Sequence, residues 1–462
     1  MKKIGDRAFF AAVLTGLLAL AGAAEARDIV FAVQSLRAEL DRIEASSSWP
    51  GFEPGAVPAA IFDGSKTYLF DHPQPPLDFK PLEGHDRVRV FEGRYGGVDN
   101  NDRIRIGETW VAACLARPAG GAGSGQAFTM RALAEIILQE KFQVFLARRH
   151  PDWVPDPALL LIYPPDTDRS LTLRRFELAA FQRAVEAEAD EDAASWAAEG
   201  LRLRSQRLGL LDGKSARYER NLERFEGIAE FLKCADVGGP PPSDRSEDGT
   251  GRTAGDGPPG CSIRAGCLIA RLLERFAPGW KGRLESGVID DLESELAKAL
   301  SSFPPKRAFS MADLIEIRQK AEEDLLAQAS RRSDLLQKFL ARPGYRIEII
   351  SEADPLRPIS FDYDALVRLT DKESLHRGPL AFKNGSATIE VRSGALSVHR
   401  GTSGAVRVLA TGFATKPSVV RGRSQAKDIT VIKAEGLILV CRDVKVTESG
   451  TALTVVLPGP PR

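Results

Sequence analysis

Leu138-Gln139-Glu140-Lys141-Phe142-Gln143-Val144-Phe145 sits inside a stretch with apolar residues at helical spacing, which predicts a helix over 129–149 ended by Pro151. Positions i and i+4 of a helix share a face, so Gln139 and Gln143 stand one above the other with Glu140 beside them. Ahead of this helix the pattern is that of a small sheet. Apolar runs at 57–62 and 67–70 are joined by Asp63-Gly64-Ser65-Lys66, a hairpin signal, and two more strands are predicted at 87–91 and 108–116. A helix over 28–45 precedes them, and a glycine-rich connector, 119–125, leads into the Gln139 helix. After it come a short strand at 159–163 and helices at 171–189, 192–208 and 215–232. Residues 236–260 have almost no apolar content and read as a disordered insert. Helical patterning resumes at 263–275, 287–300 and 311–340, the last with Ser310 and Asp313 placed as a capping box.

Beyond Pro343-Gly344 the period changes from helical to alternating. Strands are predicted at 346–350, 380–382, 387–391, 405–410, 429–432, 437–440 and 452–457, with Asn384-Gly385 the strongest hairpin signal among them. The fold class is therefore α+β. A mainly helical domain with a small N-terminal sheet spans 27–342, and a β-rich domain spans 343–462.

Composition narrows the function. The chain has 462 residues, 63 basic against 63 acidic side chains and 43% hydrophobic residues, an ordinary globular balance long enough for several domains. Zero net charge speaks against a dedicated nucleic-acid binder. Residues 1–26 combine a basic start, an apolar run from Ala8 to Ala24 and small residues at Ala24-Glu25-Ala26, the pattern of a cleaved signal peptide. The expectation is an exported protein, periplasmic or extracellular, with no membrane span after cleavage. Of five cysteines (Cys114, Cys234, Cys261, Cys267 and Cys441), none lies in a Cys-x-x-Cys pair. Cys234 and Cys261 flank the insert and could bridge it, or all five could be buried small apolar residues.

The chemistry rests on the Gln139–Gln143 frame. Its spacing is the one at which a metallopeptidase helix places two histidines around a general-base glutamate, and Glu140 stands in the place of that base. Further on, Arg224-Phe225-Glu226-Gly227-Ile228-Ala229-Glu230-Phe231 resembles the segment with which gluzincin-type metallopeptidases supply a third ligand, here Glu226. Phe276-Ala277-Pro278-Gly279-Trp280-Lys281 extends the likeness. The order of these elements is similar to that of exported bacterial zincin-like proteins, across roughly the central third of the chain. The resemblance implies a zincin-like fold and a peptidase cleft.

The departures decide what chemistry can survive. Zinc is held by imidazole, thiolate or carboxylate, whereas a glutamine offers a neutral carbonyl oxygen. With Gln139 and Gln143 at the ligand positions, only Glu226 remains as an ordinary zinc ligand. Without the metal there is no acidified water for Glu140 to deprotonate. The five histidines (His72, His85, His150, His376 and His399) include no pair at ligand spacing, and His150 lies too far along the helix to substitute. No metal and no cofactor is expected. Other motifs give less: Gly121-Ala122-Gly123-Ser124-Gly125 lacks the Lys-Ser/Thr of a phosphate loop, Cys114 reads as a buried strand residue, and no Gly-x-Ser-x-Gly occurs. The charged helices at 174–192 and 202–224 are expected to show solvated faces laced with i,i+4 pairs.

The sequence thus points to an exported zincin-like pseudoenzyme, a degenerate member of its family, retained for binding a protein or peptide or as a scaffold. Two other readings stay open. One is an exported hydrolase using Glu140 and Glu226 as a carboxylate pair without zinc. The other is a purely structural envelope protein.

Overall fold

The computed structural model describes residues 33–44, 49–98, 101–116, 129–237, 258–303, 306–361, 365–400, 404–424 and 427–459. Residues 1–26, which the sequence reads as a signal peptide, the glycine-rich connector and most of the 236–260 insert lie outside them. Architecture is mixed α+β: a small sheet, a set of helices, then two further sheets.

The first helix, α1, covers 33–44 and buries Val33, Leu36, Leu40 and Ile43, the apolar stripe of its predicted span. The first sheet comprises β1 (Ala59–Phe62), β2 (Lys66–Phe70), β3 (Lys80–Leu82), β4 (His85–Glu92), β5 (Asp102–Ile106) and β6 (Thr109–Leu115). Its order is β3-β4-β2-β1-β6-β5, antiparallel except for the β1–β6 pair. Successive side chains of a strand point to opposite faces. Ala59, Ile61, Ala112 and Cys114 pack toward the helices, while Ala60, Phe62, Val111 and Ala113 join a second cluster with Phe79 and Val98. Burial on both faces is why β1 and β6 read as unbroken apolar runs.

Thr129 caps α2 (Met130–Arg149), accepting from Ala132 N at 3.1 Å. The other helices are α3 (Asp168–Glu186), α4 (Asp190–Leu208), α5 (Gly213–Leu222), α6 (Ile228–Val237), α7 (Pro258–Phe276), α8 (Trp280–Glu285), α9 (Leu292–Ala299) and α10 (Met311–Leu340). α5 runs into α6 through one π-turn, Glu223–Gly227. Three sequence expectations are corrected. The strand at 159–163 is instead a 3-10 turn, Pro157–Leu161, because Asp156 caps it and Pro157 supplies a preset φ at its start. The helix predicted from 287 begins only at Leu292, since Gly287 takes φ +71° in a turn and Asp291 caps α9. Helix also intrudes on both ends of the predicted insert, through Val237 and from Pro258.

The remainder is β7 (Tyr345–Ile350), β8 (Arg357–Phe361), β9 (Leu366–Arg368), β10 (Glu373–His376), β11 (Leu380–Lys383), β12 (Ala387–Val391), β13 (Ala395–His399), β14 (Ala405–Phe413), β15 (Ser418–Ser424), β16 (Lys427–Ala434), β17 (Leu437–Arg442), β18 (Lys445–Ser449) and β19 (Ala452–Val456). They form two sheets, ordered β18-β19-β7-β14-β13-β10-β9 and β15-β16-β17-β12-β11-β8. One apolar core lies between them: Ile347, Ile349, Val408 and Val455 of the first sheet meet Phe382, Ile389, Val391 and Leu439 of the second. Asn384 makes the β11–β12 turn, its Oδ1 accepting from Ser386 N and Ala387 N. Leu161 of the 3-10 turn belongs to this core, and Arg368 donates to the carbonyls of Leu161 and Tyr163. The sandwich is thereby docked on the helical part.

Candidate functional site

α2 lies against the π-turn and α6, the segment that carries Glu226. Leu138 and Phe142 of α2 share one core with Phe225, Ile228, Ala229, Phe231 and Leu232. The third matching segment joins them through aromatic edges. Trp49 meets Phe142 at 5.1 Å and Trp280 at 5.5 Å between ring centroids, and Trp280 meets Phe231 at 5.9 Å. Gly279, just before Trp280, takes φ +77°, a conformation that costs a glycine nothing. All three segments singled out in the sequence thus pack together.

Within this assembly the frame faces protein rather than solvent. Glu140 is 2% and Gln143 3% exposed, while Gln139 and Glu226 are half-buried. Gln143 Nε2 makes no hydrogen bond. Between them in sequence, Lys141 is fully buried and pairs with Glu44 of α1 at 2.5 Å. From Glu44 an ion-pair chain continues to Arg37 (3.7 Å), to Asp71 (2.6 Å) and to Arg87 (2.7 Å). Asp71 and Arg87 line a cleft of about 260 Å³ together with Leu69, His72 and Arg89. That opening belongs to the N-terminal sheet. His150 caps α2, stacks on Trp153 and meets Glu285 Oε2 at 3.0 Å.

Gly227 has a packing reason. A Cβ there would stand 2.8 Å from Gly266 Cα and 2.9 Å from Ile263 O, and one at Gly266 would stand 2.6 Å from Glu223 O. The π-turn and α7 therefore cross backbone to backbone, which only a glycine pair permits.

The charged helices overturn their sequence reading. Arg174 and Glu177 of α3, Arg204 and Arg207 of α4, Glu219 of α5 and Glu223 of the π-turn are all buried. Arg204 binds Glu223 through two bonds, 2.7 and 2.6 Å, and Glu177 at 3.0 Å. Arg207 bridges Glu177 (2.5 Å) and Glu219 (2.6 Å), and Arg174 reaches Glu219 (3.0 Å) and Asp166 (3.6 Å). Tyr163 donates its hydroxyl proton to Glu219. Burial disfavours charge on Glu177, Glu219 and Glu223, but Arg174 and Arg207 outweigh it at Glu219 and hold it down to about 2. At Glu223 burial and the like charges of Glu219 and Glu177 win over Arg204 and push it up to about 7. With Glu293, which Arg204 reaches at 3.1 Å, five acids share three arginines, and Glu223 is the one pushed toward its neutral form.

A signal for this cluster is present in the sequence. Glu219 and Glu223 are like charges at i,i+4, and Arg204 and Arg207 are like charges at i,i+3. Such pairs repel on an isolated helix, so they require partners from another element.

The zinc that the resemblance implies does not fit these residues, because two of its three ligand positions carry neutral amides. Among the described residues, no three His, Cys, Asp or Glu side chains are grouped to hold a metal ion. Nor is any helix among them long and apolar enough to cross a membrane. No family model, curated protein or solved structure matches this chain.

Proposed function

We propose that the helical part is a zincin-like frame that has lost peptide hydrolysis and is retained, in an exported protein, for binding a protein or peptide or as a scaffold. The observation that supports this reading is the joint packing of α2, the Glu226 π-turn and Trp280 around a frame whose ligand positions are Gln139 and Gln143. Glu140 is nearly sealed from solvent, and a general base must reach the water it activates. The reading thus disfavours Glu140 and Glu226 as a working carboxylate pair. The docked sandwich adds surface to the helical part without adding a residue to the frame.

The test is hydrolysis of a mixed peptide pool and a glycan pool by the full-length chain, beside its Glu140→Gln variant. No cleavage by either protein is the expected result. Cleavage by the natural chain that disappears in the variant would restore the hydrolase reading.

A further inference from the structure

The cleft of about 260 Å³ on the N-terminal sheet holds an uncompensated charge. Alternate residues of a strand share a face, so Arg87 and Arg89 of β4 stand side by side in its lining. Two guanidiniums so placed repel, and each calls for an anion. Arg87 has one. Its Nε stands 2.7 Å from Asp71 Oδ1, while Arg37 of α1 donates to Asp71 Oδ2 at 2.6 Å. Asp71 follows directly on β2 and takes φ +55°, in the left-handed region that few residues with a side chain occupy, and its side chain is 2% exposed. That carboxylate is committed to Arg37 and Arg87. Arg89 has no counterpart. It is half-buried, its cross-strand neighbours are Leu69 and Pro81, and it makes no hydrogen bond, ion pair or ring contact with a described residue.

We propose that this cleft is a binding site for a carboxylate monoanion, with Arg89 as its anchor and Arg87, braced by Asp71, beside it. A guanidinium pairs with a carboxylate through two parallel N–H···O bonds, which fixes the ligand's orientation as well as its charge. The lining sets how much charge fits. Asp71 and Asp86 balance Arg87 and Arg89, and Asp86 makes no hydrogen bond or ion pair with a described residue, so a second negative charge on the ligand would be repelled. That favours a carboxylate over a phosphate dianion. His72 does not compete for the ligand, because both its ring nitrogens are taken by backbone: Nδ1 accepts from Gln74 N at 3.2 Å and Nε2 donates to Ile106 O at 3.1 Å. Pro73 and Pro75 offer apolar surface to the body of the ligand. The volume is below the roughly 300–1,000 Å³ of pockets that enclose drug-sized molecules, and it suits a small organic acid or the carboxyl-terminal end of a peptide. Both present the same group. The site lies on the sheet, outside the Gln139–Gln143 frame, and does not depend on the zincin-like reading.

The experiment is calorimetric titration of the full-length chain with N-acetylvaline, with N-acetyl-alanyl-alanyl-valine, with the carboxamide of each, and with inorganic phosphate. Both acids are expected to bind, each carboxamide about tenfold more weakly, and phosphate more weakly than either acid. A tighter tripeptide identifies a peptide end as the source, and equal affinities a free acid. Arg89→Gln should lose the preference for acid over carboxamide, and Arg89→Lys should keep part of it as a point charge. Arg89 has no partner in the fold, so thermal unfolding of both variants, measured alongside, should match the natural chain. No binding of either acid at millimolar concentration, equal binding of acid and carboxamide, tighter binding of phosphate, or an undiminished preference in Arg89→Gln would overturn the proposal.

Discussion

Arg204 and Glu223 face each other as a two-bond guanidinium–carboxylate pair, 2.7 and 2.6 Å, with both side chains buried. This pair ties α4 to the turn that carries Glu226. A buried ion pair is weak support for stability as a whole, yet removing one partner strands the other charge. Arg204→Met is expected to cost about 3–5 kcal/mol in urea unfolding, because Glu223 and Glu177 both lose a counter-charge. Glu223→Gln should cost clearly less than Glu219→Gln, since Glu223 is already pushed up to about 7 and Glu219 is held down to about 2. Equal losses for the two glutamates would contradict this charge assignment.

The sandwich contains a buried His376–Ser397–His399 bridge, with distances of 2.9 and 2.7 Å. Burial, the neighbouring imidazole and Arg368 lower His376 to about 3; burial and Arg368 lower His399 to about 4. Histidines with folded values below the unfolded one contribute stability that is complete above about pH 6.5 and is lost as pH falls toward 4. Each contributes roughly 3 kcal/mol over that window by linkage. Urea midpoints should therefore drop between pH 6.5 and 4, and more steeply for the natural chain than for a His376→Gln/His399→Gln double variant. Parallel pH profiles would refute the assignment.

Gly227→Ala places a methyl group against the backbone of α7 and is expected to destabilise by about 1–3 kcal/mol. Gly282 of α8 has nothing within 4 Å of its would-be Cβ, so Gly282→Ala should be neutral or stabilise by up to about 1 kcal/mol. The contrast is read from thermal unfolding of the two variants. A tolerated Gly227→Ala would mean that the crossing can open.

Lys141 sits inside the frame yet pairs outward with Glu44 of α1. Replacing it by methionine leaves Glu44 with Arg37 at 3.7 Å as its remaining counter-charge. Lys141→Met is expected to cost about 2–4 kcal/mol, and Lys141→Met/Glu44→Leu less than the single variant, because the double change removes both charges. Proteolysis of α1 faster in the single variant than in the double one would check it.

These relationships show what a single sequence can and cannot disclose. Helix ends are legible where the cap is a local event: Thr129 before α2 and the Ser310–Asp313 box before α10. Strands are legible where both faces are apolar or where a turn is diagnostic, as at Asn384-Gly385. β8, β10 and β18 escape because Arg357-Pro358-Ile359-Ser360-Phe361, Glu373-Ser374-Leu375-His376 and Lys445-Val446-Thr447-Glu448-Ser449 carry too few apolar residues, and pairing with neighbours makes them strands. The buried charge cluster reads as solvated because arginine and glutamate at helical spacing look alike on a wet surface and in a dry interior. Only the like-charge spacing distinguishes them. The frame is legible as a spacing, whereas the aromatic packing around its Phe142 depends on Trp49 and Phe52, which arrive from a distant part of the chain.

The most direct test of a zincin-like frame without its ligands is zinc content and affinity of the natural chain beside its Gln139→His/Gln143→His double variant. Both are prepared without a metal-binding tag. The account predicts one tightly held zinc per chain in the double variant, supplied by the two new imidazoles with Glu226, and none in the natural protein. Zinc in the natural chain, or none in either protein, would contradict it.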